Sequence, residues 1–231
     1  MRRPTLSVMS KTEAGVPRTV GVDGARLPRW RDGFVTRHGA ATATATTTGL
    51  ILRAVDGAVA EVFAPFTPWT PPGPAADPEA PDDPVRSLTE HVLRERRLAV
   101  LLVRRGGYAC VLLDGIVVRH AKIGTRHVQG RTAAGGWSQQ RFARRREKQT
   151  DELTGAVTEV AVRLLVPELP VQALITGGDV PLLESVLADP RLRALAATPR
   201  GAHLAIGDPR PAMVRELPDL IHRLRILVTE P

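Results

Sequence analysis

The chain has 231 residues, 43% of them hydrophobic, and a formal net charge of +8, enough for a real core in one large domain or a domain with an appendage. Its single cysteine, Cys110, excludes an internal disulfide and a cysteine-based zinc cage, and no apolar run approaches the roughly 20 residues that span a bilayer. MRRPTLSVMS lacks the apolar region of a secretory signal, so the composition fits a reducing cytoplasm and a polyanionic partner, with no membrane.

Residues 1–26 show no periodicity and read as disordered. Leu27–His38 reads as a short helix with Trp30 and Phe34 on one face. The Ala/Thr run Thr42–Thr48 tolerates a strand but packs poorly. Leu50–Val55 and Ala58–Ala64 flank Asp56-Gly57, a hairpin signal, so 27–64 is expected to be a small α+β appendage. Pro65–Pro84 holds eight prolines and four acids and reads as a linker.

The main domain is expected over 85–231. Val85–Arg97 reads as a helix. Leu98–Arg104, Tyr108–Leu113 and Ile116–Ala121 read as strands of an antiparallel meander, turned at Gly106-Gly107 and Asp114-Gly115. A loop from Ile123 to Trp137 leads into a long helix, Ser138 to about Val166. Its stripe of Phe142, Leu153, Val157, Val160 and Leu164 keeps to one helical face. Between Phe142 and Leu153 that face carries Arg146 and Gln149, so the first turns are expected to project beyond the core. Val171–Thr176 reads as a strand, turned by Gly177-Gly178 into a helix over Val180–Ala188. Ala202–Ile206 follows as a strand, Pro211–His222 as a helix, and Leu224–Val228 as a last strand or a helix extension. Strands first, then alternating helices and strands, imply an α/β (α+β) fold with a mixed sheet and helices against it.

The charge is concentrated. From Gly115 to Gln149 stand nine basic residues (Arg119, Lys122, Arg126, Arg131, Arg141, Arg144, Arg145, Arg146 and Lys148) and one acid, Glu147. This stretch holds the whole net charge, because the remaining 23 basic and 23 acidic residues cancel. Within it lies the tip Gly135-Gly136-Trp137-Ser138-Gln139-Gln140. Two glycines permit backbone conformations and close approaches that other residues do not. Ser138 suits a helix N-cap. Arg141, Arg144, Arg145 and Lys148 share one face of the first turns, where guanidinium forks suit phosphate oxygens. Lys122, Arg126 and Arg131 either contact RNA or shape the loop. Aromatic residues make up 3% of the chain, and the basic stretch offers only Trp137 and Phe142 for stacking on bases.

The run from Gly135 to Arg146 resembles the catalytic loop of eukaryotic and archaeal class-1 release factors, which reads Gly-Gly-Gln-Ser, two residues, then Arg-Phe-Ala-Arg. Gly135, Gly136, Ser138, Arg141, Phe142, Ala143 and Arg144 match it. Trp137 stands where those factors carry the catalytic glutamine. The shifted pattern Gly136-Trp137-Ser138-Gln139 resembles the tRNA hydrolases of ribosome quality control. The wider context, HAKIGTRHVQGRTAAGGWSQQRFARRR, is most similar to the actinobacterial VLRF-type release-factor family, over roughly 85–225. The resemblance implies a ribonuclease-H-like catalytic domain with a protruding loop. It implies hydrolysis of the ester joining peptide to tRNA, in the peptidyl-transferase centre of the large ribosomal subunit, with peptidyl-tRNA and rRNA as partners and without metal or cofactor. The sequence shows no obvious codon-reading domain beside the α/β body, so the activity is expected to be codon-independent. Gln139 is the favoured catalytic residue and Gln140 the alternative, with Gly135 and Gly136 letting the loop in. Arg126, Arg131, Trp137, Ser138, Arg141, Arg144, Arg145, Arg146 and Lys148 would touch RNA. The same features also suit a non-catalytic RNA-binding factor.

Other constellations are weaker. Asp114, His127 and Ser138 have no spacing that defines a triad. Asp114 in a turn and Asp179 at a helix start do not make the strand-borne carboxylate set of a metal nuclease. Cys110 lies mid-strand and reads as a small buried hydrophobe.

Overall fold

The structure is a computed structural model and describes residues 16–71, 83–125 and 138–231. In chain order its elements are β1 (Arg18–Asp23), α1 (Leu27–His38), β2 (Ala41–Thr46), β3 (Gly49–Ala54), β4 (Val59–Phe63), α2 (Pro84–Leu93), β5 (Arg97–Arg104), β6 (Gly107–Asp114), β7 (Val117–Thr125), α3 (Ser138–Leu164), β8 (Ala173–Gly178), α4 (Val180–Leu187), α5 (Arg193–Ala196), β9 (Arg200–Leu204), α6 (Pro211–His222) and β10 (Arg223–Thr229). They form two five-stranded sheets in two compact units.

The first unit takes the chain up to Ala64, Pro68–Thr89 and Leu224–Pro231. Its sheet runs β1-β10-β4-β3-β2. The Asp56-Gly57 hairpin forms, with the Ala54 amide donating to the Ala58 carbonyl at 2.9 Å and Gly57 at φ +98°. α1 buries Leu27, Phe34 and His38. The buried His38 ring lies between two carboxylates, its Nδ1 2.9 Å from Asp56 and its Nε2 3.5 Å from Glu230. Three sequence expectations are corrected here. β1 lies inside the stretch 1–26 that reads as disordered. β10 pairs antiparallel with β4, Ile226 opposite Val62, so the C-terminal strand completes the first sheet instead of extending the domain expected over 85–231. The Pro-rich linker is not bare, for Trp69 is 3% exposed and packs within this unit.

The second unit takes Pro65–Thr67 and Glu90–Arg223. Its sheet runs β7-β6-β5-β8-β9, antiparallel across β5, β6 and β7 and parallel across β5, β8 and β9. This is the mixed sheet and the meander expected from the sequence. β5 and β6 read as unbroken apolar runs because both faces of the sheet are covered. Ala99, Leu101, Val103, Tyr108, Cys110 and Leu112 share a core with Leu153, Val157 and Val160 of α3. The alternate residues Leu98, Val100, Leu102, Ala109, Val111 and Leu113 pack with Val214, Leu217 and Ile221 of α6. Phe66, from the stretch read as linker, joins that second core, with the Arg96 guanidinium 4.5 Å from its ring centre. Gly178, at φ +98°, ends β8 as the sequence implies, and the Asp179 carboxylate caps α4 by accepting from the Leu182 amide.

Two consequences for stability follow. Gly155 sits exposed in the interior of α3, where an added methyl meets nothing within 4 Å. Gly155→Ala removes backbone freedom from the unfolded chain and raises stability by about 0.4–1 kcal/mol. A higher urea midpoint with unchanged slope is the expected reading. His91 donates Nε2–H to the Phe66 carbonyl at 2.8 Å, yet burial pushes its pKa below the ordinary histidine value, assisted by the nearby Arg96 and Arg94 cations. The unfolded chain therefore binds a proton at about pH 6.5 more readily than the folded one. The contribution is whole above that pH and is lost as pH falls towards the lower folded value. Urea unfolding at about pH 7.5 and 5.5 should show the wild type losing stability on acidification, with a flatter response in His91→Gln.

Candidate nucleic-acid interface

The basic stretch is built on two elements, β7 and α3, that are both tied to β6, one by strand pairing and the other by packing on its face. β7 is an edge strand held along its length by β6, with Thr125 opposite Gly107 and Gly124 opposite Tyr108. A side chain at 124 would run into the Tyr108 ring, so that glycine lets the aromatic ring lie across the root of the following loop. Tyr108 belongs to the same buried cluster as Leu153, Val157 and Val160. Both β7 and α3 are thereby anchored at the two ends of residues 126–137. Sequence reading missed Gly124 and Tyr108, because their pairing is set by strand register and leaves no local motif.

α3 is 27 residues long, about 40 Å at 1.5 Å per residue. Leu153 is its first buried residue among the described side chains, and none from Arg144 to Glu152 is buried. Some fifteen residues, roughly 22 Å of helix, precede that anchor. Helical spacing sets positions 141, 144 and 148 on the side away from Leu153, Val157 and Val160, with position 145 on the flank. The arrangement is a cationic lever whose far half is fixed in the core.

Ser138, Gln139, Gln140 and Arg141 occupy the first turn of α3. Arg144, Arg145, Arg146 and Lys148 follow, the first two exposed and Arg146 half-buried. Gly135, Gly136, Trp137, Arg126 and Arg131 lie outside the described residues, as does His127. Among the described residues, Arg144, Arg145 and Arg146 make no ion pair, while Lys148 is 3.9 Å from Glu152. Arg119 is engaged by Asp114 at 3.3 Å, which also lies 3.6 Å from Arg97. No carboxylate stands in the first turn of α3. Cations at a helix N-terminus oppose the helix dipole, and like charges three or four residues apart repel. This cluster therefore works against local helix stability and suits a partner that supplies negative charge.

Conventional reactive groups are inert or engaged. The Cys110 thiol is buried in the sheet, and burial pushes its pKa up to about 12, so it stays protonated near neutrality. Asp114 and Asp179 are held by arginine and by a helix cap. Among the described residues no three His, Cys, Asp or Glu come together as a metal would need. A cleft of about 290 Å³ is lined by His120, Ala121, Arg163, Leu164, Pro167 and Glu168. Its one carboxylate, Glu168, is 3.6 Å from Arg97 and 4.0 Å from His120. No helix among the described residues is long and apolar enough to cross a membrane.

The fold is a mixed α+β one whose long helix α3 carries a run of exposed cations ahead of its buried half. The sequence profile of the Actinobacteria/chloroflexi VLRF1 release factor matches residues 96–227, more than half of the chain. The chain belongs to that family. Among solved structures it is similar to the crystal structure of the archaeal translation termination factor aRF1, at 16% identity and a TM-score of 0.35 over 84% of this chain. It spans 62% of the length of that structure. Comparison with curated proteins finds no match.

Proposed function

We propose that this protein is a cytoplasmic, codon-independent peptidyl-tRNA hydrolase that frees nascent chains from stalled ribosomes or obstructed large subunits. The observation that carries the reading is the anchored α3 lever, whose cationic first turns bear Gln139 and Gln140, in a chain of a release-factor family. The reaction adds water to the acyl carbon and breaks its bond to the ribose oxygen. One water proton ends on that leaving hydroxyl, and the peptide leaves with a free carboxyl group. A glutamine amide is no general base near neutral pH, but it offers a donor and an acceptor. Held within hydrogen-bond reach, it orients the attacking water or steadies the leaving hydroxyl. Backbone N–H groups of the loop serve the developing oxyanion. Gly135 and Gly136 give the loop passage. Trp137, Ser138 and the arginines Arg126, Arg131, Arg141, Arg144, Arg145 and Arg146, with Lys148, hold rRNA or the tRNA acceptor stem.

The test is purified protein mixed with stalled ribosomes carrying labelled peptidyl-tRNA, resolved on a gel. Appearance of deacylated tRNA supports hydrolysis. Binding without cleavage supports the second reading, a non-catalytic ribosome- or RNA-binding factor, which Trp137 at the glutamine position of class-1 release factors favours.

A further inference from the structure

We infer that α1 of the first unit carries a second RNA-phosphate surface, separate from the α3 tip and made by Arg26, Arg29 and Arg37. Residues 26, 29, 33 and 37 are spaced three, four and four apart, so they line one helical face. The core face of α1 is a different one, with Leu27, Phe34 and His38 buried. Arg26, Arg29, Gly33 and Arg37 are all exposed. Arg29 and Arg37 lie about 12 Å apart along the axis.

Five acids of this unit are engaged elsewhere, and Glu61 lies on β4, not on α1. Asp23 accepts from the Ala25 amide at 2.8 Å. Asp32 and Asp83 pair with Arg31 at 2.9 and 3.1 Å. Asp56 and Glu230 flank His38. Among the described residues Arg26, Arg29 and Arg37 have no carboxylate within ion-pair distance, so three guanidinium forks stand open on one face.

Gly33 is an independent sign. It interrupts the helix mid-stripe, where glycine weakens a helix, and an added Cβ would meet nothing within 4 Å. Internal packing therefore does not explain it. A bare backbone between arginines suits a partner that comes close, and planar guanidinium groups match phosphate oxygens bidentately. Guanidinium forks suit carboxylates as well as phosphates, so the choice of a nucleic-acid backbone over an acidic protein rests on the release-factor family of the chain; it needs only phosphate recognition, so it goes beyond the release reading.

The experiment uses the full chain with the α3 tip silenced (R144Q/R145Q/R146Q/K148Q), and the same chain further changed to R26Q/R29Q/R37Q or to Gly33→Glu. Affinity for a short fluorescein-labelled duplex RNA is read by anisotropy between about 50 and 200 mM salt. The arginine variant should bind at least about tenfold more weakly, with a salt slope smaller by about two, since each phosphate contact contributes about 0.7–0.9. Gly33→Glu should lose RNA affinity while its thermal midpoint holds or rises, which separates binding from folding. Unchanged affinity and slope in both variants would overturn the inference. Loss of binding to poly-glutamate with RNA binding intact would overturn it too, in favour of an acidic protein partner. Neither result depends on whether the wild type cleaves peptidyl-tRNA.

Discussion

Gln139→Ala should lower the rate of peptide release from ribosome-bound peptidyl-tRNA by about 10²–10³-fold, the size of effect expected when one aligned hydrogen-bonding group is removed from a reacting centre. Ribosome affinity changes little, because a neutral amide contributes no counterion release. Gln140→Ala, one residue further along the first turn of α3, stays within a few-fold of the wild type. Positions 139 and 140 lie about 100° apart around a helix axis, which is the basis for expecting the two variants to differ. Single-turnover release measured for both variants makes the assignment. Wild-type release by Gln139→Ala removes that residue from the chemistry, and loss of release in Gln140→Ala in the same experiment moves the role to Gln140.

The second large effect concerns charge. R144Q/R145Q/R146Q/K148Q should weaken ribosome binding by tenfold or more near physiological salt and reduce the salt slope by about three. The same substitutions should leave the folded protein as stable or slightly more stable. They relieve repulsion between positions 141 and 145, 144 and 148, and 145 and 148, each worth a few tenths of a kcal/mol. The only ion pair they delete among the described residues is the exposed contact between Lys148 and Glu152 at 3.9 Å, a small term. Opposite signs for stability and binding mark a cluster placed for a partner. A loss of stability alongside binding would mean that these arginines support the fold instead.

Local patterns were readable in the sequence, and distant pairings were not. The β5–β6–β7 meander is written in short apolar runs with Gly-bearing turns between them, and its register forms between neighbours in the chain. The stripe of α3 announces its buried half because Leu153, Val157 and Val160 repeat at helical spacing. The cationic tip is legible for the simplest reason, that charge is carried by residue type and needs no geometry. β1 escaped, and so did the sheet that the C-terminal strand β10 joins, because the partners of both are remote in the chain, β10 pairing with β4. Phe66 and Trp69 escaped because proline density implies solvent, although a buried aromatic ring needs no regular backbone around it. The α1 stripe was hidden by the balance of charge: acids such as Asp23, Asp32, Asp56 and Asp83, which offset its arginines in a sum, are tied to other groups in space.

Large ribosomal subunits carrying labelled peptidyl-tRNA, without small subunit or messenger, put the central claim to its most direct trial. Hydrolysis there needs no codon and no decoding site. The account predicts that the purified protein converts this peptidyl-tRNA to free peptide and deacylated tRNA, and that Gln139→Ala binds the same particles without doing so. Stable binding of the wild-type protein with the ester left intact would contradict it.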